Sequence, residues 1–188
     1  MPSLRVFIAI ETPPTIRAQI STIRDTLKGS GADVRWEPDE KLHATIKFLG
    51  STNEGLLPEI VSYLRGVADR HSPPRVQYKG VGCFPDRRNP RVIWVGIQDL
   101  DGEAAALHRA IEDVLLPLGF EKDDRKFHPH VTLGRVKGRH RIESLLESME
   151  STTFESQPVL IHEFVVVKSE LKPSGSVYTV LKSIPFNV

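Results

Sequence analysis

His43-Ala44-Thr45-Ile46 and His130-Val131-Thr132-Leu133 repeat one pattern, a histidine and a hydroxyl separated by a single apolar residue. In an extended strand residues two apart share a face, so each segment would present an imidazole and a hydroxyl side by side and bury the residues between them. Histidine is the side chain whose ordinary pKa, about 6.5, lets a pair hold one protonated and one neutral member near neutrality. The neutral ring can take a proton from an attacking water or hydroxyl while the imidazolium gives one to a leaving oxygen, each step worth roughly 10²–10⁴ in rate. Thr45 and Thr132 can donate hydrogen bonds to the non-bridging oxygens of a phosphoryl group held between the rings. Such a site needs no metal and no cofactor. Residue types and spacing leave open which histidine is the acid.

The flanks define the two faces expected of these strands. Leu42, Ala44, Ile46 and Phe48 would form an apolar face beneath His43, Thr45 and Lys47, and Pro129, Val131 and Leu133 would do the same beneath His128, His130 and Thr132. Arg135 can bind phosphate bidentately, but strict alternation points it away from His130 unless a bulge or twist near Gly134 intervenes; otherwise it makes a surface salt bridge. Phe48 is a candidate for stacking on a nucleobase, although its parity places it on the core face. Lys47 is expected to reach solvent, and Trp36 and Trp94 to anchor the core. His71, His108, His140 and His162 have no partner motif and read as surface residues. His128 with His130 and His43 could in principle form a three-histidine zinc site, but no carboxylate pattern accompanies them, and pairing each histidine with threonine suits phosphate better than metal.

The elements that must position these residues follow from periodicity. Leu4–Glu11 reads as a strand, followed by a helix to about Gly29 with Thr12 as its N-cap and Ile16, Ile20, Ile23 and Leu27 inward. Strands are expected near 34–37 and 42–49. A helix follows, capped by Thr52 or Asn53, with Leu57, Ile60, Val61, Leu64 and Ala68 inward, and Ser72-Pro73-Pro74 stops it. Strands near 76–84 and 91–98 flank a turn-rich segment. Asp101 should cap a third helix with Leu107, Ala110, Ile111, Val114 and Leu118 buried. The second motif strand, a short helix near 141–149 and strands 160–169 and 176–184 complete the chain. Each half offers strands, a helix and a central motif strand. The fold class expected is α+β, a single domain over residues 1–188 made of two pseudo-symmetric, intertwined lobes, with antiparallel sheets facing a central cleft and helices outside.

Composition sets the limits. The 188 residues are 39% hydrophobic and 26% charged, ordinary for a globular protein, and the formal net charge of +1 supplies no overall basic field. Nucleic-acid contact must then be local, through clusters such as Arg87, Arg88 and Arg91 or Lys137, Arg139, His140 and Arg141, which otherwise are solvated loops. Cys83 stands alone, excluding an internal disulfide and fitting a reducing compartment. The apolar start, Met1–Ile10, reads as a first strand and not a signal peptide, and no run approaches the ~18 residues of a membrane span. A cytoplasmic monomer without a membrane partner is expected.

The two motifs with their flanks resemble the 2H phosphoesterase superfamily, and within it the RNA 2′,3′-cyclic phosphodiesterases historically called 2′-5′ RNA ligases. The resemblance includes Arg5–Ile10, Val34-Arg35-Trp36, Leu42–Gly50, Phe84-Pro85, Pro90–Gly96, Phe127–Arg135 and the tail from Ser169-Glu170-Leu171 to Tyr178, in order over essentially the whole chain. Ala44, where a larger aliphatic is common, and His128, at a variable position, are small departures. The resemblance implies that His43 is the proton donor to the leaving ribose oxygen and His130 the proton acceptor that activates water. The implied substrate is RNA or a nucleotide with a 2′,3′-cyclic phosphate end, the product a 2′-phosphomonoester, and reversible 2′-5′ ligation a secondary activity that the same site permits. Alternatives are a phosphodiesterase for 2′,5′-linked oligonucleotides or for a small cyclic phosphate such as ADP-ribose 1″,2″-cyclic phosphate, and a non-catalytic module that binds RNA ends. Intact histidines in both motifs argue against the last, since binding alone needs no acid–base pair.

Overall fold

The computed structural model describes residues 3–173 and 175–187. Met1 and Pro2, which open the expected first strand, lie outside the described residues, as do Ser174 and Val188. The elements are β1 (Ser3–Glu11), α1 (Pro14–Lys28), β2 (Val34–Trp36), β3 (His43–Asn53), α2 (Leu57–Ala68), β4 (Arg75–Phe84), β5 (Val92–Asp99), α3 (Glu103–Leu115), β6 (His130–Val136), α4 (Ile142–Ser151), β7 (Val159–Leu160), β8 (Glu163–Lys172) and β9 (Gly175–Pro185). The architecture is α+β, a curled antiparallel sheet with four helices. None of the described helices is long and apolar enough to cross a membrane.

The strands run β7-β4-β5-β6-β3-β1-β8-β9, with β2 pairing β6. One lobe therefore holds β3, β1, β8 and β9, and the other β7, β4, β5 and β6, with β2 crossing over to it. The lobes meet at the motif strands, where Ala44 pairs with Val131 between β3 and β6. Ala44, Ile46, Val131 and Leu133 point into the main core with the inward stripes of the helices: Ile16, Ile20 and Leu27 of α1, Ile60 and Leu64 of α2, Leu107 and Ile111 of α3, and Leu145 of α4. On the other face Phe7, Ala9, Val165 and Val167 form a smaller cluster against Tyr178. The helices thus back one face of the sheet and leave the motif face open.

Two caps differ from expectation. α1 follows Pro13 with no side-chain cap and carries Pro14 at its first position, where a missing N–H is harmless, while the Thr12 hydroxyl is buried. α3 begins after Gly102, whose φ of 83° suits glycine, and its first amides are held mainly by Asp99, which accepts from Gly102, Ala104 and Ala105; Asp101 accepts from Glu103. The turn between β5 and α3 admits Asp99 because that residue ends the strand facing the helix start.

A larger difference lies in β3. Its pairing with β1 shifts between Ile8–Lys47 and Ala9–Thr45, so the strand carries an extra residue just after the motif. Ile46 and Lys47 are both buried, and Phe48, expected on the core face, is instead 66% exposed. β6 repeats the device: its pairing with β5 shifts between Ile93–Gly134 and Trp94–Thr132, and Leu133 and Gly134 are both buried. Each bulge inverts the alternation beyond its motif, so Phe48 and Arg135, each five residues after its motif histidine, return to the motif face.

Candidate active site

The Ala44–Val131 pair fixes how the motifs meet. Counting outward in an antiparallel ladder sets His43 opposite Thr132 and Thr45 opposite His130, so each histidine faces the other motif's hydroxyl. The histidines lie on the diagonal, a separation of roughly 7–8 Å at the backbone in a regular ladder. His43, Thr45, His130 and Thr132 all line one cavity of about 880 Å³, and Phe48, Arg135, Phe84 and Tyr178 line it with them. That volume lies in the range of small-molecule sites, ~300–1,000 Å³.

Each ring is held from behind by the backbone two residues upstream. His130 Nδ1 donates to the His128 carbonyl at 2.7 Å, and the His43 ring hydrogen-bonds the Lys41 backbone. Since a carbonyl only accepts, the neutral His130 ring carries its proton on Nδ1 and leaves the Nε2 lone pair free. Aromatic walls remove water from both. Phe7 stacks on His43 at 5.0 Å, Tyr178 meets it edge-on at 5.4 Å, and Phe84 meets His130 edge-on at 4.9 Å. Burial pushes His43 down to about 4, with the His130 charge adding to the effect against the Lys41 hydrogen bond. Burial likewise lowers His130, opposed by its bond to His128.

Arg135 and Phe48 mark the two ends of this cavity. Arg135 Nε lies 3.9 Å from Glu37 Oε1, a long contact for a half-exposed guanidinium, and the rest of the side chain stays available to an anion. Phe48 leans on Phe7, with ring centroids 5.8 Å apart, and shows its other side to solvent. Trp94 packs against Phe84 and His128 rather than deep in the core, and its ring covers Gly82, where a Cβ would come within 2.2 Å.

Two more residues correct the sequence reading. Lys47 does not reach solvent: it is buried with Glu112 of α3 at 2.6 Å and donates to the Glu121 carbonyl at 2.8 Å. Glu112 Oε2 also accepts from the Asp123 amide at 3.3 Å, so the pair ties the segment before β6 to β3. His108, expected at the surface, is buried, stacks on Phe127 at 4.2 Å and lies 3.5 Å from Glu112 Oε1. Lys47, Glu112 and His108 line the cavity, as does Tyr178, for which sequence reasoning had no role. Tyr178 reaches His43 only because β9 follows β8 onto the edge of β1, which no local pattern announces. Among the described residues no group of three or more His, Cys, Asp or Glu side chains is placed to hold a metal ion.

The family model described as the 2′-5′ RNA ligase superfamily matches residues 12–173. A protein of Methanothermobacter thermautotrophicus named RNA 2′,3′-cyclic phosphodiesterase is 33% identical over 177 residues, covering 94% of this chain and 95% of its own. One of the same name from Thermotoga maritima is 32% identical over 184 residues, covering 97% and 96%. Among solved structures, TT0787 of Thermus thermophilus superposes with a TM-score of 0.81 at 26% identity, covering 97% of this chain and 98% of that one. E. coli LigT complexed with 3′-AMP shares the fold over the full length of both chains, with a TM-score of 0.76 at 24% identity. The paired histidine–threonine strands, the sheet that joins them and the match along the chain agree: the protein belongs to the 2′-5′ RNA ligase superfamily.

Proposed function

We propose that this protein hydrolyses RNA 2′,3′-cyclic phosphate ends to 2′-phosphomonoesters by metal-independent acid–base catalysis between His43 and His130. The observation that carries the reading is the diagonal convergence of the two histidine–threonine pairs on one cavity, with His130 Nε2 left as a free base by the Nδ1 bond to His128. Water attacks phosphorus and loses its proton to His130 Nε2. The bond from phosphorus to the ribose 3′ oxygen breaks, and that oxygen takes the proton of His43. Thr45 and Thr132 donate to the non-bridging oxygens, and Arg135 adds a cation beside them.

The lowered pKa of His43 fits this sequence of events. In the free protein the aromatic wall favours its neutral form. A bound phosphate anion adjacent to the ring favours the imidazolium, so the proton arrives with the substrate. Burial lowers the His130 pKa and so favours the neutral form that a base needs. With the 5′-hydroxyl of a second strand attacking in place of water, the same proton transfers give the 2′-5′ ligation after which the family is named. The relatives named RNA 2′,3′-cyclic phosphodiesterase support the substrate class.

The test is incubation with 2′,3′-cyclic nucleotides and with RNA ending in cyclic phosphate, in the presence of a chelator, with the regiochemistry of the product determined. Turnover to the 2′-phosphate is the expected result. A site that binds these ends and leaves them unopened at every pH would make the protein a binding module, and loss of activity in chelator with recovery on adding zinc would replace the acid–base pair by a metal.

A further inference from the structure

The two basic clusters that the acid–base site leaves unused, although far apart in sequence, are sorted by the fold. Arg87 is taken by Glu150 and the Leu146 carbonyl, and the Arg141 side chain lies against Gly31. Arg88, Arg91, Lys137 and Arg139 instead gather around a separate pocket of about 300 Å³ walled by Pro90 and Ile142. All four are exposed, and none makes an ion pair among the described residues. Two carboxylates lie near them, Asp33 beside Gly138 and Asp86, which accepts from the Arg88 amide at 2.8 Å. In a chain of net charge +1 this is a local concentration of cations, a positive potential that attracts anions.

Its position relative to the catalytic cavity gives it a direction. The pocket lies at the far end of β6, the strand that begins with His130, and the Val136 amide donates to the Arg91 carbonyl at 2.9 Å. Between the two sites stands Arg135, paired with Val92, both of which line the catalytic cavity. From His130 to Val136 the strand covers roughly 20 Å at about 3.3 Å per residue, a span of a few nucleotides. The equivalent place in the other lobe carries Phe48, and of the cations along the cavity Lys47, Lys122 and Arg125 are held by Glu112, Asp113 and Asp123. The four beyond Arg135 have no such carboxylate partner among the described residues.

We infer that Arg88, Arg91, Lys137 and Arg139 form a second site that binds the phosphodiester backbone of the RNA strand upstream of its reacting end, with Arg135 as the link between the two sites. The inference rests on the proposed function for its substrate class. It makes the protein selective for a strand over a mononucleotide, through charge and not base identity.

The experiment compares the wild-type protein with Arg88→Ala/Arg91→Ala/Lys137→Ala/Arg139→Ala, using uridine 2′,3′-cyclic phosphate and a 5′-labelled oligouridylate of about eight nucleotides ending in cyclic phosphate, a length within ordinary single-strand site sizes. The ratio of kcat/KM for the oligonucleotide to that for the mononucleotide should fall on the order of tenfold at low salt, and the slope of log affinity against log salt should weaken by about 3 for four lost contacts. Replacing the arginines by lysine, which keeps the charge, should restore most of both, and this variant also answers for any folding defect in the quadruple alanine. A ratio and salt slope unchanged in a folded quadruple variant would overturn the second site. Anisotropy of the labelled strand reads the same contacts without turnover. Failure of the wild-type protein to open the mononucleotide would therefore strike the proposed function, while the binding slope still decides the groove.

Discussion

Replacing His43 by glutamine should flatten the dependence of folding stability on acid. In the folded protein the ring sits between Phe7 and Tyr178 and near His130, and its pKa falls from 6.5 to about 4. In the unfolded chain it returns to about 6.5. Between these values the unfolded state binds more protons, so stability is present above pH 6.5 and is lost as pH falls through the window. Linkage gives a loss of about 2 kcal/mol between pH 7 and pH 5 and a limit of about 3 kcal/mol near pH 4, at 1.36 kcal/mol per unit of difference. Burial lowers His130 and His108 as well, and both residues are common to both proteins. The informative quantity is therefore the difference between the two proteins' urea midpoints at pH 7 and at pH 5, converted with the m-value. Glutamine cannot titrate, and any packing penalty it brings is the same at both values. The wild type should lose about 2 kcal/mol more than His43→Gln on acidification. Parallel losses would mean that the aromatic wall does not desolvate the ring, and the account of how His43 acquires its proton would fall with it. Inorganic phosphate should also raise the His43 pKa in an NMR titration, and no change would remove the substrate-assisted step.

His43→Ala and His130→Ala should each lower kcat/KM by roughly 10²–10⁴ with little loss of fold, and the double variant should fall far short of the product, because the pair acts as a unit; steady-state kinetics decides. Glu112→Ala should destabilise by about 3–5 kcal/mol by leaving the Lys47 ammonium buried and unpaired, whereas Lys47→Met with Glu112→Leu should restore much of it, a difference that denaturation of the two variants would expose. Phe48→Ala should raise KM for a cyclic nucleotide by an amount equivalent to about 1–3 kcal/mol of lost base stacking, without changing kcat or the melting temperature of a side chain that is 66% exposed. A fall in kcat instead would place Phe48 in the chemistry.

The motif faces could be read in the sequence because period two operates over short stretches, and His43 with Thr45 or His130 with Thr132 spans only three residues. Two positions further on the same rule failed for Phe48 and Lys47. A bulge adds one residue, and nothing in Ile46-Lys47 distinguishes it from regular strand; in the other lobe Gly134 marks the equivalent point. The inward face of α3 was misjudged for a related reason. Its buried side includes His108 and Glu112, polar residues that helical periodicity assigns to water, because Lys47 arrives from 65 positions away to neutralise the carboxylate. Partners this distant are set by topology, and so is the placing of Tyr178 over His43.

β1 lies between β3 and β8, and that order bears on how the chain is assembled as it leaves the ribosome. Once β7 has emerged, the strands β3 to β6 find all their neighbours among strands already made, since β3 pairs with β1 and β6, but β1 must wait with one edge bare until β8 has been made. The apolar residues of that edge, Phe7 and Ala9, are covered only when Val165, Val167 and Tyr178 arrive. Nascent chains stalled after β7 should therefore hold both motif strands in protected form while the β1 amides that face β8 still exchange freely. Long-range pairing of this kind slows folding and leaves an exposed strand edge open to chaperones, so the wall that Tyr178 completes beside His43 is the last part of the site to mature.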